Sequence, residues 1–291
     1  MSVEVFGMAS FQIRGGCSLN GEVRIQGSKN AALPMLAACL LSRGETKLYN
    51  CPHITDVYNM IKILENMGCS TVFCGDCLTV DTSGNLSGVI SMGDGASMRS
   101  SIMLMGAVLG RQKYVSLPWP GGCSIGKRPV DLHLKALEQM NVSIRSDHCG
   151  LECTTPYLQG KDICLPIPSV GATENVILAA VLARGTTRIH NAAKEPEIVD
   201  LCHFLNEMGA QIHGMGTHRI TINGVKQLKS ISYTVMPDRI VAGTYFAAAA
   251  ATGGNILAYP VKEKDLRSVL DVFAAMGCGI IIRRDQLQLI A

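Results

Sequence analysis

The sequence predicts an α/β fold built from a repeated unit of strand, helix, strand, helix and paired strands. Three observations predict it. Helical and strand periodicities alternate along the chain. One stretch matches a later one without a gap at an offset of 141 residues, and part of it matches again 68 residues further on. The first helix of three of the copies (Ala31–Leu41, Ala172–Ala183, Thr244–Ala251) is strongly apolar, which predicts helices buried on most sides. One such unit cannot bury these helices alone, so several must pack together.

Each element has its own signal. Phe11 and Ile13 alternate, Gly15-Gly16 and Asn20-Gly21 follow, and Val23 and Ile25 alternate again, which predicts a hairpin over 11–25. Ser28 is a good N-cap for a helix over Ala31–Leu41. Arg43-Gly44 ends it, with the glycine just past the last turn. Lys47-Leu48-Tyr49 is a short strand. Asp56–Met67 is a second helix, with Val57, Met60, Ile61 and Leu64 on one face. Gly68 closes it, and Thr71–Val80 predicts another hairpin.

The repeat is exact enough to locate an anomaly. The 141-residue offset pairs Ser28 with Ser169, Gly44 with Gly185, Asn50 with Asn191 and Met67-Gly68 with Met208-Gly209. The further offset of 68 carries Gly185 to Gly253 and Met208-Gly209 to Met276-Gly277. The copy between them has helices over Met98–Leu109 and Val130–Leu137, closed at Gly110 and at Met140-Asn141. In the three regular copies the two helix ends lie 23 residues apart, whereas Gly110 and Met140 lie 30 apart. The seven extra residues fall within Leu117–Asp131. Packing does not require that insertion, so it is assigned to function. Its thiol, Cys123, lies between Gly121-Gly122 and Gly126, beside Lys127 and Arg128 and just before Pro129, which suits a first helical turn. Basic neighbours and a helix start favour a thiolate, and the helix start attracts anions.

Composition narrows the function classes. Hydrophobic residues make up 47% and charged residues 17%, so a large core is expected and disorder is not. The net charge of +3 is too small for a nucleic-acid-binding face. The longest apolar runs, such as Phe246–Ala251, are too short to span a bilayer. Met1–Phe6 shows no basic region followed by an apolar core, so no export signal is expected. Twelve scattered cysteines then point to a reduced, cytoplasmic protein with free thiols. Cys74 and Cys77, and His148, Cys149 and Cys153, have ligand-like spacings within terminal hairpins. Gly93-Asp94-Gly95 lacks the strand and the spacing of a dinucleotide fingerprint.

Several motifs together resemble a known family. Gly27-Ser28-Lys29-Asn30-Ala31-Ala32-Leu33-Pro34 is similar to the N-terminal signature of the enolpyruvyl transferases. Pro120–Gly126 with Arg128–His133 resembles the cysteine loop of the branch that uses UDP-N-acetylglucosamine as acceptor. Pro168–Asn175, Glu195–Asp200 and Pro237–Ile240 match in order, so the resemblance covers nearly all the chain from Phe11 on. It implies an inside-out α/β barrel of six βαβαββ repeats, three per domain, with substrates in the cleft between domains. Residues 27–229 are then expected to form one complete domain, and 1–26 with 230–291 a third of the other, with apolar faces of the fourth repeat left uncovered. Two departures stand out. The chain carries four repeats, without the later segments that supply the family's aspartate base and phosphoenolpyruvate-gripping arginines. Trp119-Pro120 also lengthens the loop.

The resemblance implies the chemistry. Enolpyruvyl moves from phosphoenolpyruvate to the 3-hydroxyl of UDP-N-acetylglucosamine and phosphate is released, the first committed step of peptidoglycan synthesis. Cys123 is the implied proton donor, and Lys29 and Arg128 the cations for negative charge. Asn30 orients substrate. Arg99, Pro129, Val130, Asp131 and Leu132 hold the nucleotide sugar, as do Ser169, Val170 and Gly171, which mirror Ser28, Lys29 and Asn30 through the repeat. Asp238 and Arg239 face the cleft from the second domain. No cofactor and no metal are implied, and a zinc site among Cys74, Cys77, Cys149 and Cys153 is the alternative reading of those spacings. The implied partners are the two substrates, with no nucleic acid or membrane, and a second chain is one source of the missing repeats. The alternatives are a shortened, non-catalytic binder of UDP-sugars and transfer to shikimate 3-phosphate, which the cysteine loop disfavours.

Overall fold

Alternating residues in Glu45–Tyr49 and Cys77–Asp81 put Thr46, Leu48, Leu78 and Val80 on one buried face, the pattern of a sheet covered on one side. A computed structural model shows what covers such faces; it describes residues 12, 15–95, 98–121 and 130–291. The chain divides into two compact units, Gln26–Asp238 and Met1–Ile25 with Arg239–Ala291.

The first strand, β1 (Asn20–Arg24), belongs to the smaller unit. The larger unit begins with α1 (Lys29–Cys39), β2 (Glu45–Tyr49), α2 (Thr55–Asn66), β3 (Ser70–Cys74) and β4 (Cys77–Asp81). It continues with the short α3 (Met92–Gly95), a 3-10 turn over Arg99–Met103, α4 (Leu104–Gln112), β5 (Tyr114–Pro118), α5 (Asp131–Gln139), β6 (Ser143–Ser146) and β7 (Gly150–Thr154). Next come β8 (Asp162–Cys164), α6 (Val170–Ala180), β9 (Thr186–His190), α7 (Pro196–Glu207), β10 (Gln211–His213), β11 (Arg219–Asn223) and β12 (Ser232–Thr234). The smaller unit adds α8 (Arg239–Thr252), β13 (Asn255–Tyr259), α9 (Glu263–Ala275), β14 (Gly279–Arg283) and β15 (Gln286–Ile290).

The sheets share one arrangement. Their orders are β12-β2-β4-β3, β8-β9-β11-β10 and β1-β13-β15-β14. In each, the first pair is parallel and the next two are antiparallel. The sheet of the irregular copy has β5-β7-β6, with a single parallel bridge from Val89 to Ser116 where the others have a fourth strand. The parallel edge strand reaches its partner through a left-handed asparagine in two copies. Asn50 and Asn191 have φ of 54° and 58°, which asparagine tolerates better than most residues. Their side-chain amides donate to the carbonyls of Val235 and Leu165 at 3.0 and 2.9 Å.

Two sequence expectations change in detail. The segment 230–238 packs with the larger unit, not with the smaller one, because β12 pairs in parallel with β2 over Lys47–Tyr49. In the predicted hairpin over 11–25, the described half is β1, and it pairs in parallel with β13; residues 11, 13 and 14 lie outside the described ones.

The helices α1 and α6 are buried along Ala31–Cys39 and Ala172–Ala180, as their composition predicts. The fourth repeat's α8, whose apolar faces were expected to be left uncovered, buries Ala242, Phe246 and Ala249, while Ile240 and Tyr245 are exposed. Its described neighbours are α9, β13 and β15, which cover one stripe of an apolar cylinder. Each unit has its own core. Among the described residues no helix is long and apolar enough to cross a membrane.

Candidate active site

Two groups of predicted site residues are brought together by the larger unit. The first is at the start of α1. Ser28 has the extended backbone of an N-cap and donates its N–H to the Met236 carbonyl at 2.7 Å. The Lys29 amide donates to Asp238 Oδ2 at 3.2 Å, and the Lys29 ammonium forms an ion pair with Asp56. Asn30 beside it is exposed. Gly27 is required here by space: a Cβ would lie 1.8 Å from the Asn50 carbonyl oxygen.

The position of Asp238 differs from the expectation that it belongs to the second domain. It is buried in the larger unit, with its N–H on the Gln26 carbonyl at 2.9 Å. The cause is backbone pairing, since Gly27 also bridges Pro237. Asp200 anchors this strap from below. It accepts from the Tyr233 hydroxyl at 2.8 Å and from the Met236 amide at 3.1 Å. Burial, then the Asp200 charge, push the Tyr233 hydroxyl well above its ordinary range, so it stays a donor. Arg239 opens α8 in the smaller unit.

The second group surrounds a histidine. Ser169 caps α6, its hydroxyl accepting from the Ala172 amide at 3.4 Å, and Val170 and Gly171 begin the helix. Asp131 begins α5 after Val130, with Leu132 half-buried beside it. His133, from the same turn of α5, is buried and lies against Gly171, where a Cβ would come within 3.0 Å of its ring. Its Nδ1 lies 2.9 Å from the Asn175 side-chain amide, which also donates to the Ile102 carbonyl at 2.8 Å. The Asn175 oxygen accepts from the Gly106 amide at 2.7 Å. With the asparagine nitrogen donating, Nδ1 is the acceptor and the proton of the neutral ring sits on Nε2. Burial, then the nearby Arg99 charge, push His133 down to about 4, while Asp131 works the other way. Arg99, Asp131 and Gly171 thus converge on a neutral imidazole.

Cys123, Arg128 and Pro129 lie outside the described residues, which resume at Val130. The zinc alternative among the hairpin cysteines is not assembled. Cys74 and Cys77 face each other across the β3–β4 turn, whereas Cys153 is buried with its Sγ 3.7 Å from Met105 Sδ and Cys149 is exposed.

One feature was not singled out in the sequence. Glu174 is fully buried in α6 and neither carboxylate oxygen has a hydrogen-bond partner among the described residues. Burial, then Glu197 and Glu195, hold its carboxyl well above the usual carboxylate range, which favours the protonated form. The repeat contained the signal: the 141-residue offset places Glu174 over Leu33 of α1.

Chemically, the first group offers an ammonium and a helix N-terminus, both suited to an anion. The second offers backbone amides at the α6 start, a neutral imidazole and Arg99.

Comparison with known proteins agrees with these motifs. The family model for EPSP synthase (3-phosphoshikimate 1-carboxyvinyltransferase) matches residues 13–290. The UDP-N-acetylglucosamine 1-carboxyvinyltransferase 2 of Caldanaerobacter subterraneus subsp. tengcongensis is 46% identical over 97% of this chain and 68% of its own length. The UDP-N-acetylglucosamine 1-carboxyvinyltransferase of Acinetobacter baylyi is 42% identical over 97% of this chain and 68% of its own. The chain therefore spans about two thirds of the length of these relatives. In three dimensions it resembles the enolpyruvyl transferase NikO from Streptomyces tendae, with a TM-score of 0.84 at 21% identity over 96% of this chain and 67% of that one. It also resembles the EPSP synthase from Acinetobacter baumannii, with a TM-score of 0.71 at 20% identity over 94% of this chain and 64% of that one. The chain belongs to the EPSP synthase family of enolpyruvyl transferases, among the members named UDP-N-acetylglucosamine 1-carboxyvinyltransferase.

Proposed function

We propose that this chain carries out enolpyruvyl transfer from phosphoenolpyruvate to the 3-hydroxyl of UDP-N-acetylglucosamine, in peptidoglycan synthesis in the cytoplasm. The reading rests on 46% identity over 97% of the chain to a relative of that name. The sugar oxygen bonds to the central carbon of the enol while the Cys123 thiol delivers a proton to the methylene carbon, making a methyl group. Loss of a methyl proton then re-forms the double bond as the carbon–oxygen bond to phosphate breaks. The hydroxyl proton passes to solvent or to the phosphate, the methyl proton returns to the Cys123 thiolate, and phosphate leaves with the electron pair of its carbon–oxygen bond.

Lys29 and Arg128 counter the charge on phosphate and carboxylate, and Asn30 orients the acceptor. The amides at Ser169, Val170 and Gly171 suit a diphosphate. Arg99, the segment from Pro129 through Val130 and Asp131 to Leu132, and the buried His133 form the nucleotide-sugar side. Asp238 holds the first turn of α1 in place. The common order of three sheets, which the three-stranded sheet of the irregular copy follows in part, supports assigning the four repeats to inside-out α/β barrel domains, three in the larger unit and one in the smaller.

Phosphate release from purified protein with both substrates tests the reading. Release that is abolished in Cys123→Ala is the expected result. Saturable UDP-N-acetylglucosamine binding with no release favours a shortened, non-catalytic binder, which the two-thirds span of the chain keeps in view. Activity restored by adding a polypeptide with the relatives' remaining third identifies a two-chain enzyme.

A further inference from the structure

The β6–β7 turn carries three side chains with metal-ligand chemistry, remote in composition from both groups above. Asp147, His148 and Cys149 are consecutive and exposed, and each offers a ligand atom within 4.8 Å of the other two. The turn explains only one of them. Asp147 Oδ1 accepts from the amides of Cys149 and Gly150 at 2.7 and 3.0 Å, which holds the carboxyl below its usual range. Nothing in that turn calls for an imidazole or a thiol, because what Asp147 binds is backbone.

The site is also held in advance. β6 and β7 pair on either side of it through Arg145 and Glu152. The Trp119 indole N–H donates to the Asp147 carbonyl at 2.7 Å. A carboxylate fixed by two amides keeps its second oxygen for a ligand, and ligand groups fixed by outer partners bind metal more tightly. Beside the turn lies a cavity of about 550 Å³ walled by Ser116, Pro118, Arg145, Glu152 and by Asp147 and Cys149 themselves.

We propose that Asp147, His148 and Cys149 form a three-ligand site for a divalent transition metal ion of zinc type, with a fourth position open to the cavity. One sulfur, one nitrogen and one oxygen ligand select zinc, cobalt or copper over magnesium and calcium, which take all-oxygen sets. Three protein ligands and an open position are the pattern of sites that leave room for water or an anion, and Arg145 on the cavity wall favours an anion there. On binding, the Cys149 thiol releases its proton to solvent and the thiolate bonds to the metal, so affinity falls as pH falls.

The test titrates the full chain with cobalt(II) alone and then displaces it with zinc(II). The expected result is one saturable equivalent, a thiolate-to-cobalt charge-transfer band, and a change in Trp119 fluorescence with the same midpoint. Trp119 is the only tryptophan, so that signal reports this turn. His148→Ala and Cys149→Ser, which spare the Asp147 turn, each weaken binding about tenfold or more. A Cys74→Ser/Cys77→Ser variant binds as the parent does. In the unmodified protein, saturating zinc protects Cys149 from alkylation but leaves exposed Cys164 reactive, a readout that does not depend on any variant folding. Absence of saturable binding, a charge-transfer band that survives Cys149→Ser, or alkylation of Cys149 at an unchanged rate in zinc overturns the site.

Discussion

His133 and Glu174 are ionisable residues buried in the larger unit, and their effects on stability have opposite signs. His133 is held down to about 4 in the fold against 6.5 when exposed, so the unfolded chain binds the proton first. Its contribution is present above about 6.5 and is lost as pH falls towards 4, by at most about 1.4 kcal/mol per pH unit. Denaturant midpoints of His133→Gln measured between those pH values are expected to vary less than those of the parent. Glu174 is held above its usual range, so the fold keeps a proton that the unfolded chain releases. Its contribution is fully present below the ordinary carboxylate range and is lost as pH rises from there through the raised value in the fold. Glu174→Leu, which restores the residue of the matching position in α1, is expected to stabilise the protein near neutral pH by on the order of 1–3 kcal/mol. Thermal unfolding at several pH values checks both sign and size. The sequence placed Glu174 in an apolar helix, but its missing partners depend on which side chains surround it. The contact of His133 with Asn175, across 42 positions, was equally out of reach of local periodicity.

At the scale of elements, the first turns of α1 and α6 show why the motif residues are what they are. Gly27→Ala drives a methyl into the Asn50 carbonyl, 1.8 Å away. The loss expected is about 3 kcal/mol or more, since backbone must move, and chemical denaturation measures it. Ser169→Ala removes a cap worth roughly 1 kcal/mol. The strap over 232–238 is read as a positioning device for Lys29. Tyr233→Phe leaves Asp200 short of one donor and is expected to cost about 1–2 kcal/mol. Under the proposed function it also raises KM for phosphoenolpyruvate more than it lowers kcat. The helices and hairpins were visible in the sequence because periodicity and glycine stops act over a few residues. The strap was not, because β12 pairs with a strand about 185 residues earlier.

The two units of the whole molecule differ in how they spend apolar sequence. In α1 nine consecutive residues from Ala31 to Cys39 are buried, whereas α8 buries Ala242, Phe246 and Ala249 alone. Fewer buried contacts mean lower local stability. Amide hydrogen exchange is therefore expected to be faster in α8 and α9 than in α1 and α6, and peptide-level mass spectrometry resolves them. Comparable exchange in the two pairs would contradict this.

What the sequence by itself determined was the α/β class, the repeated unit, the lengthened copy and the family motifs. All of these are carried by spacing along one chain. Only the tertiary structure decided that Asp238 bonds to the Lys29 amide, that His133 is a neutral buried ring among Arg99, Asp131 and Gly171, and which stripe of α8 is covered. These depend on which surfaces meet, and an apolar or ionisable residue looks the same in sequence whether or not a neighbour arrives to cover it.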